Sequence, residues 1–179
     1  QPPAPGGAED VFIELASQVR SDCIRSIAAI RGEGYVADSL RARGIAPVIY
    51  DSKGSFNFKF LVFLLRLIRR EKVSLIQSHL LGSNVYAALV GWLTGTPVVA
   101  TYHRMVDISP GERFRAFKLW LMRRGISKFV AISDALKEAV HRNQLLVPER
   151  THVVYNGIET ALYDMPKVNE LKKQLGVSV

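Results

Sequence analysis

Short apolar runs recur along the chain at Ile24–Ile30, Pro47–Tyr50, Ser74–Ser78, Val98–Tyr102, Lys128–Ile132 and Thr151–Tyr155. Between most of them, apolar residues repeat at helical spacing over Tyr35–Arg43, Phe58–Glu71, Ser83–Leu93, Glu112–Arg124 and Asp134–His141. Strands alternating with helices of this length build βαβ units around a parallel sheet. The strand-like runs are nearly continuous in apolar character rather than alternating, as burial on both faces demands. The pattern therefore predicts an α/β fold, a parallel sheet with helices on both faces. Glu9–Val19 reads as a further helix with Val11, Phe12, Leu15, Ala16 and Val19 on one side, entered from a Pro/Gly loop. Such a loop normally leaves a strand, so a first strand is expected ahead of Gln1.

Several boundaries carry local chemistry. Ser109-Pro110-Gly111-Glu112 has the form of a capping box, with Pro at the first helical position. Gly44 follows Leu40–Arg43 as a left-handed helix stop, and Ser133 precedes Asp134 as an N-cap. Asn156-Gly157 is a turn dipeptide, after which Asn169–Leu175 reads as one more short helix. Val73–Tyr102 contains no Asp, Glu, Lys or Arg, but polar residues and Pro97 interrupt it, whereas a membrane span needs about 20 apolar residues in succession.

Composition narrows the partners. The chain has 179 residues and 24 Lys and Arg against 16 Asp and Glu, a formal charge of +8 that favours anionic partners. The charge is localised: Lys53–Lys72 holds six bases against Glu71, and Arg113–Lys128 holds six bases and no acid. In the second segment Arg113, Arg115, Lys118, Arg123 and Arg124 stand beside Phe114, Phe117 and Trp120, which suits a peripheral contact with an anionic membrane surface. The same residues also suit a helix that packs one stripe on the sheet and leaves its bases in water. None of the usual nucleic-acid signatures is present, so no nucleic-acid partner is expected. Cys23, the single cysteine, excludes an internal disulfide, is read as a buried inert thiol, and fits a reducing, cytoplasmic setting. Gln1–Gly7 has neither a basic nor an apolar stretch of the secretory kind.

Three features bear on chemistry. Gly6-Gly7 open the first helix, where unpaired N–H groups and the dipole favour a phosphate. Gly32-Glu33-Gly34-Tyr35-Val36-Ala37 fits G-x-G-x-x-A between a strand and a helix, with Asp51 ending the next strand. That is the case for a nicotinamide-dinucleotide oxidoreductase domain, although Asp51 falls closer than the usual ~20 residues. His79 and His103 end successive strands, and ligands of open parallel sheets bind outside those carboxyl ends. Histidine there can bond sugar hydroxyls or serve a group developing charge, and without a third ligand no metal site is expected.

Taken in order, Pro5-Gly6-Gly7-Ala8-Glu9, Gly34–Ile45, Ile76-Gln77-Ser78-His79, Gly95–His103, Val130-Ala131-Ile132-Ser133 and Val153–Glu159 resemble the N-terminal domain of glycosyltransferase family 4. The resemblance covers most of the chain. It implies one Rossmann-like half of a two-domain GT-B enzyme, residues 1–159, with 160–179 starting the linker to a second domain. It also implies a retaining, metal-independent transferase needing no cofactor, moving a sugar from a nucleotide-sugar to a glycan or lipid-linked acceptor in polysaccharide or glycolipid synthesis. In that picture Gly6 and Gly7 approach the donor diphosphate, and His103 stands beside the transferred sugar as the catalytic residue. Arg104, Glu9 and His79 line the acceptor side. The family's basic diphosphate-binding pair and paired glutamates belong to the second domain, so this chain is expected to be inactive alone. The expected location is the cytoplasm, peripheral at the inner face of the plasma membrane. A non-catalytic membrane-binding module is the remaining alternative.

Overall fold

The computed structural model describes residues 6–19, 23–51, 56–104, 111, 113–142, 147–157 and 173–174. Helix α1 (Gly7–Gln18) leads to β1 (Ala29–Ile30), α2 (Tyr35–Ala42), β2 (Val48–Ile49) and α3 (Phe58–Arg70). Then follow β3 (Ile76–His79), α4 (Leu81–Thr94), β4 (Val98–Tyr102), α5 (Arg115–Gly125), β5 (Lys128–Ala131), α6 (Asp134–Arg142) and, after a short 3-10 turn, β6 (Thr151–Val153). All strand pairs are parallel, in a β1-β2 sheet and a four-stranded β3-β4-β5-β6 sheet. Neighbouring strands are consecutive in the chain, each linked by a helix, as right-handed βαβ connection favours.

The larger core lies on β4 and β5, where Val98, Ala100, Tyr102, Phe129 and Ala131 are buried beneath α4, α5 and α6. Tyr102, fully apolar but for its hydroxyl, donates from that hydroxyl to Met122 Sδ at 3.3 Å. Close approach of α4 and α5 depends on glycine: a Cβ on Gly125 would fall 2.0 Å from the Ala88 carbonyl oxygen. A second cluster joins α1 and α2 through Ile13, Ala16 and Leu40, and a third joins α3 to α4 through Phe60, Leu61, Tyr86 and Val90. A cavity of about 420 Å³ separates the edges of the two sheets, between α1, the Ile24–Ala29 segment, the end of α3 and the start of β3.

The sequence expectations are met in element type and order, with three local differences. The Ile24–Ile30 run pairs with β2 only at Ala29 and Ile30, with a lone bridge at Ile24, and Cys23 is exposed at a turn rather than buried. Helix α5 begins at Arg115 instead of Glu112, since Phe114 takes a left-handed φ of 57° that interrupts helical geometry. Helix α4 begins two residues early, at Leu81. Gly44, with φ of 72°, and Ser133, whose Oγ accepts from Leu136 N at 3.2 Å, act as read. The Ser109–Glu112 capping box, the Asn169–Leu175 helix and the strand ahead of Gln1 lie outside the described residues. No helix among the described residues is long and apolar enough to cross a membrane.

Candidate active site

The parallel register sets His79, the last residue of β3, opposite Thr101 of β4, so His79 and His103 emerge together at the carboxyl edge. His79 Nδ1 lies 3.0 Å from His103 Nε2, with the rings 5.3 Å apart and 29° from parallel. Phe12 of α1 meets His79 edge-on at 5.7 Å, which brings the first helix against the pair. His79 is 8% exposed. Burial first, and the neighbouring His103 second, lower its pKa to about 4. His79 is therefore neutral near pH 7, and a single hydrogen links the rings. Among the described residues its Nε2 is buried without a hydrogen-bond partner.

The turn behind His79 is held by a buried amide. Asn84, 0% exposed, lies on the first turns of α4. The orientation that satisfies its partners turns the amide nitrogen toward Ser78 Oγ at 2.7 Å and toward the Ser78 and Leu80 carbonyls at 3.3 Å. Between them Leu80 sits at φ 68°, ψ 153°, a region almost reserved for glycine that costs about 1–3 kcal/mol. The amide thus grips both sides of a strained residue directly after His79. Sequence reading missed this device. Its only signal is an amide inside the mostly apolar Ser83–Leu93 helix pattern, and no residue type announces Leu80.

Gly6 and Gly7 do stand at the mouth of α1, and Glu9 stands with them. The Gly6 N–H donates to Glu9 Oε2 at 2.5 Å, while the Gly6 carbonyl accepts from Glu9 N at 2.9 Å. The helix start is therefore capped by its own third residue, a carboxylate where the dipole favours negative charge. A Cβ on Gly6 would meet that carboxylate at 2.8 Å, whereas Gly7 faces open space. Arg104 is exposed directly after His103. Asp10 accepts from the Tyr35 hydroxyl at 2.8 Å, tying α1 to α2 and raising the Tyr35 pKa.

The Gly32–Ala37 segment forms the β1–α2 connection, with Gly34 at φ 124°. Its Glu33 is engaged by Arg41 through two bonds of 2.8 and 2.9 Å, which lower the Glu33 pKa. Asp51 is exposed beyond β2. Among the described residues no group of three His, Cys, Asp or Glu side chains is gathered as for a metal ion. The basic candidates Arg113, Lys118, Arg123 and Arg124, with Trp120, lie on or just before α5; Arg115 and Lys118 are half-buried.

Residues 5–162 match the sequence profile of Glycosyltransferase Family 4. Over 173 residues the chain is 26% identical to alpha-maltose-1-phosphate synthase of Mycolicibacterium smegmatis, spanning 88% of this chain and 42% of that protein. Anabaena HepE, solved with UDP and glucose, superposes with a TM-score of 0.70 at 24% identity, over 96% of this chain and 47% of that one. A glycosyltransferase from Rickettsia africae superposes with a TM-score of 0.73 at 18% identity, over 97% and 47%. The chain spans less than half the length of each of these proteins. The expected Rossmann-like half of a GT-B architecture is what the superpositions display. With most of its length inside the family profile, the chain belongs to glycosyltransferase family 4.

Proposed function

We propose that this chain is the acceptor-side half of a retaining glycosyltransferase that moves a sugar from a nucleotide-sugar to a glycan or lipid-linked acceptor. The observation that carries the reading is the His79–His103 pair at the carboxyl edge, with α1 packed against it, in a family 4 chain. HepE, the solved relative with UDP and glucose, supports a nucleoside-diphosphate donor.

In such a transfer the bond between the anomeric carbon and the diphosphate oxygen breaks, and negative charge gathers on the leaving diphosphate. Backbone N–H groups of Gly6 and Gly7, at the positive end of α1, stabilise that charge once the Glu9 carboxylate moves aside. His103, paired to a neutral His79, presents a ring to the transferred sugar, and Arg104 and Glu9 face the acceptor. The chemistry needs oriented donors rather than a metal ion. The remaining basic diphosphate ligands come from a second domain, so the chain alone is inactive.

The test is sugar transfer from UDP- and GDP-sugars by a polypeptide that joins this chain to a second, donor-binding domain. His103→Ala is expected to lower kcat 10²-fold or more. Unchanged kcat overturns the role of His103, and transfer by the 179-residue chain alone overturns its dependence on a second domain. Tight binding of a nicotinamide dinucleotide, with none of nucleotide-sugars, would favour the Gly32–Ala37 alternative.

A further inference from the structure

Helix α5 is apolar on two sides. Leu119, Leu121 and Met122 face the core, yet Phe117 and Trp120 on the outer side are 60% and 46% exposed. The tight α4–α5 packing at Gly125 and Ala88 brings Trp92, 53% exposed, up beside them from α4. Trp92 meets Trp120 edge-on at 6.0 Å, and Phe117 stacks on Trp120 at 5.9 Å. Leu93 extends this surface, also half exposed. A contiguous aromatic ridge in water is unusual, since single exposed apolar residues are ordinary but joined ones mark a contact.

The two helices that carry the ridge hold charge of one sign. Helix α4 carries no charged residue, and α5 carries Arg115, Lys118, Arg123 and Arg124 with no acid. Arg150 adds a guanidinium at the end of α5, donating to the carbonyls of Ile126 at 2.7 Å and Arg123 at 2.5 Å. Tryptophan prefers the headgroup level of a bilayer, where its ring is half solvated, and lysine and arginine beside it meet anionic lipid. A protein partner would also bury aromatics, but tryptophans flanked by the acid-free bases of α5 match a headgroup layer, which takes ring and cation at one depth.

We propose that the Trp92–Phe117–Trp120 ridge, with the bases of α5, is a docking surface for an anionic lipid bilayer. The contact is made by two helices rather than by α5 alone. Because α5 runs antiparallel to β4 and β5, its first turn lies toward the carboxyl edge that holds His103. A bilayer on this flank therefore brings a membrane-borne substrate to that edge.

Trp92 and Trp120 are the two tryptophans of the chain, so their fluorescence reads the contact directly. Vesicles of phosphatidylcholine with about one third phosphatidylglycerol are expected to blue-shift the emission, and brominated lipid to quench each single-tryptophan variant, Trp92→Phe and Trp120→Phe. Arg123→Gln with Arg124→Gln is expected to weaken co-sedimentation roughly 10- to 30-fold, at about fivefold per base. Phe117→Ser with Trp120→Ser is expected to weaken it at least tenfold while the far-UV spectrum is unchanged. No quenching on anionic vesicles overturns the proposal, as does equal binding to pure phosphatidylcholine. So does a stable homodimer in sedimentation that the Phe117→Ser, Trp120→Ser variant dissociates. None of these readouts depends on sugar transfer, so the docking surface and the enzymatic reading stand or fall separately.

Discussion

His79 Nδ1 and His103 Nε2 lie 3.0 Å apart although 24 residues separate them, because parallel β3 and β4 end side by side. Burial keeps His79 neutral, and its lowered pKa of about 4 links protonation to unfolding. The unfolded chain binds a proton near pH 6.5, the folded chain only near pH 4. Stability contributed by the neutral ring is thus complete above pH 6.5 and is lost as the pH falls toward 4, by an amount on the order of 2–3 kcal/mol. Urea unfolding across this window checks it; His79→Gln is expected to remove that part of the slope, and an unaltered slope would count against it.

Asn84 holds the turn that presents His79. Asn84→Ala leaves the Ser78 and Leu80 carbonyls and the Ser78 hydroxyl without the amide, and is expected to cost about 1–3 kcal/mol. The imidazole resonances of His79 and His103 should shift together in the same variant. If stability falls while both resonances stay in place, the amide serves packing alone.

Leu80 is held at φ 68° and ψ 153°. Leu80→Gly relieves strain of about 1–3 kcal/mol but gives up a partly buried side chain and adds chain entropy to the unfolded state. The expected net change in stability is within about 1 kcal/mol, unlike ordinary leucine truncation. A loss of 3 kcal/mol or more in thermal or urea unfolding would mean that the turn is not strained.

Gly125 sets the α4–α5 distance, and Gly91 the approach of α4 to β4. A Cβ on Gly125 collides with backbone of Ala88, and one on Gly91 approaches Val98 Cγ2 at 2.3 Å. Gly125→Ala is expected to cost at least 1–3 kcal/mol, because backbone cannot rotate out of the way. Gly91→Ala is expected to cost less, since Val98 offers a side-chain methyl rather than backbone, although the Thr96 carbonyl lies 2.9 Å away. Equal, small effects in calorimetry would show that the helices slide freely.

Glu9 competes for the donors of α1. Glu9→Gln removes a full negative charge from the helix start while keeping its shape, and is expected to cost roughly 0.3–1 kcal/mol in stability. Under the proposed function the same change leaves Gly6 and Gly7 freer for a diphosphate, so UDP should bind severalfold more tightly by calorimetry. Weaker UDP binding would place the glutamate among the groups that assist the donor.

Much of the fold was legible in the sequence because helix and strand patterning is local. Continuous apolar runs gave the strands, the 3.6-residue spacing gave the helices, and Gly44, free of a Cβ, ended one helix while the Ser133 hydroxyl began another. The misread positions were those where a distant neighbour decides: the Ile24–Ile30 run forms a strand with β2 over only two residues, and Cys23 is exposed because the chain turns there.

The candidate site divides in the same way. By itself the sequence determined which residues stand at strand ends and helix starts, His79, His103, Gly6 and Gly7, and that α5 is basic without an acid. Tertiary structure alone decided that the two imidazoles touch, that Asn84 is buried against a strained leucine, and that Trp92 joins Trp120 outside the core. The reason is physical: residue type and spacing fix a side chain's place on its own element, but contact between elements depends on register, on close packing at Gly125, and on burial, which no single segment carries.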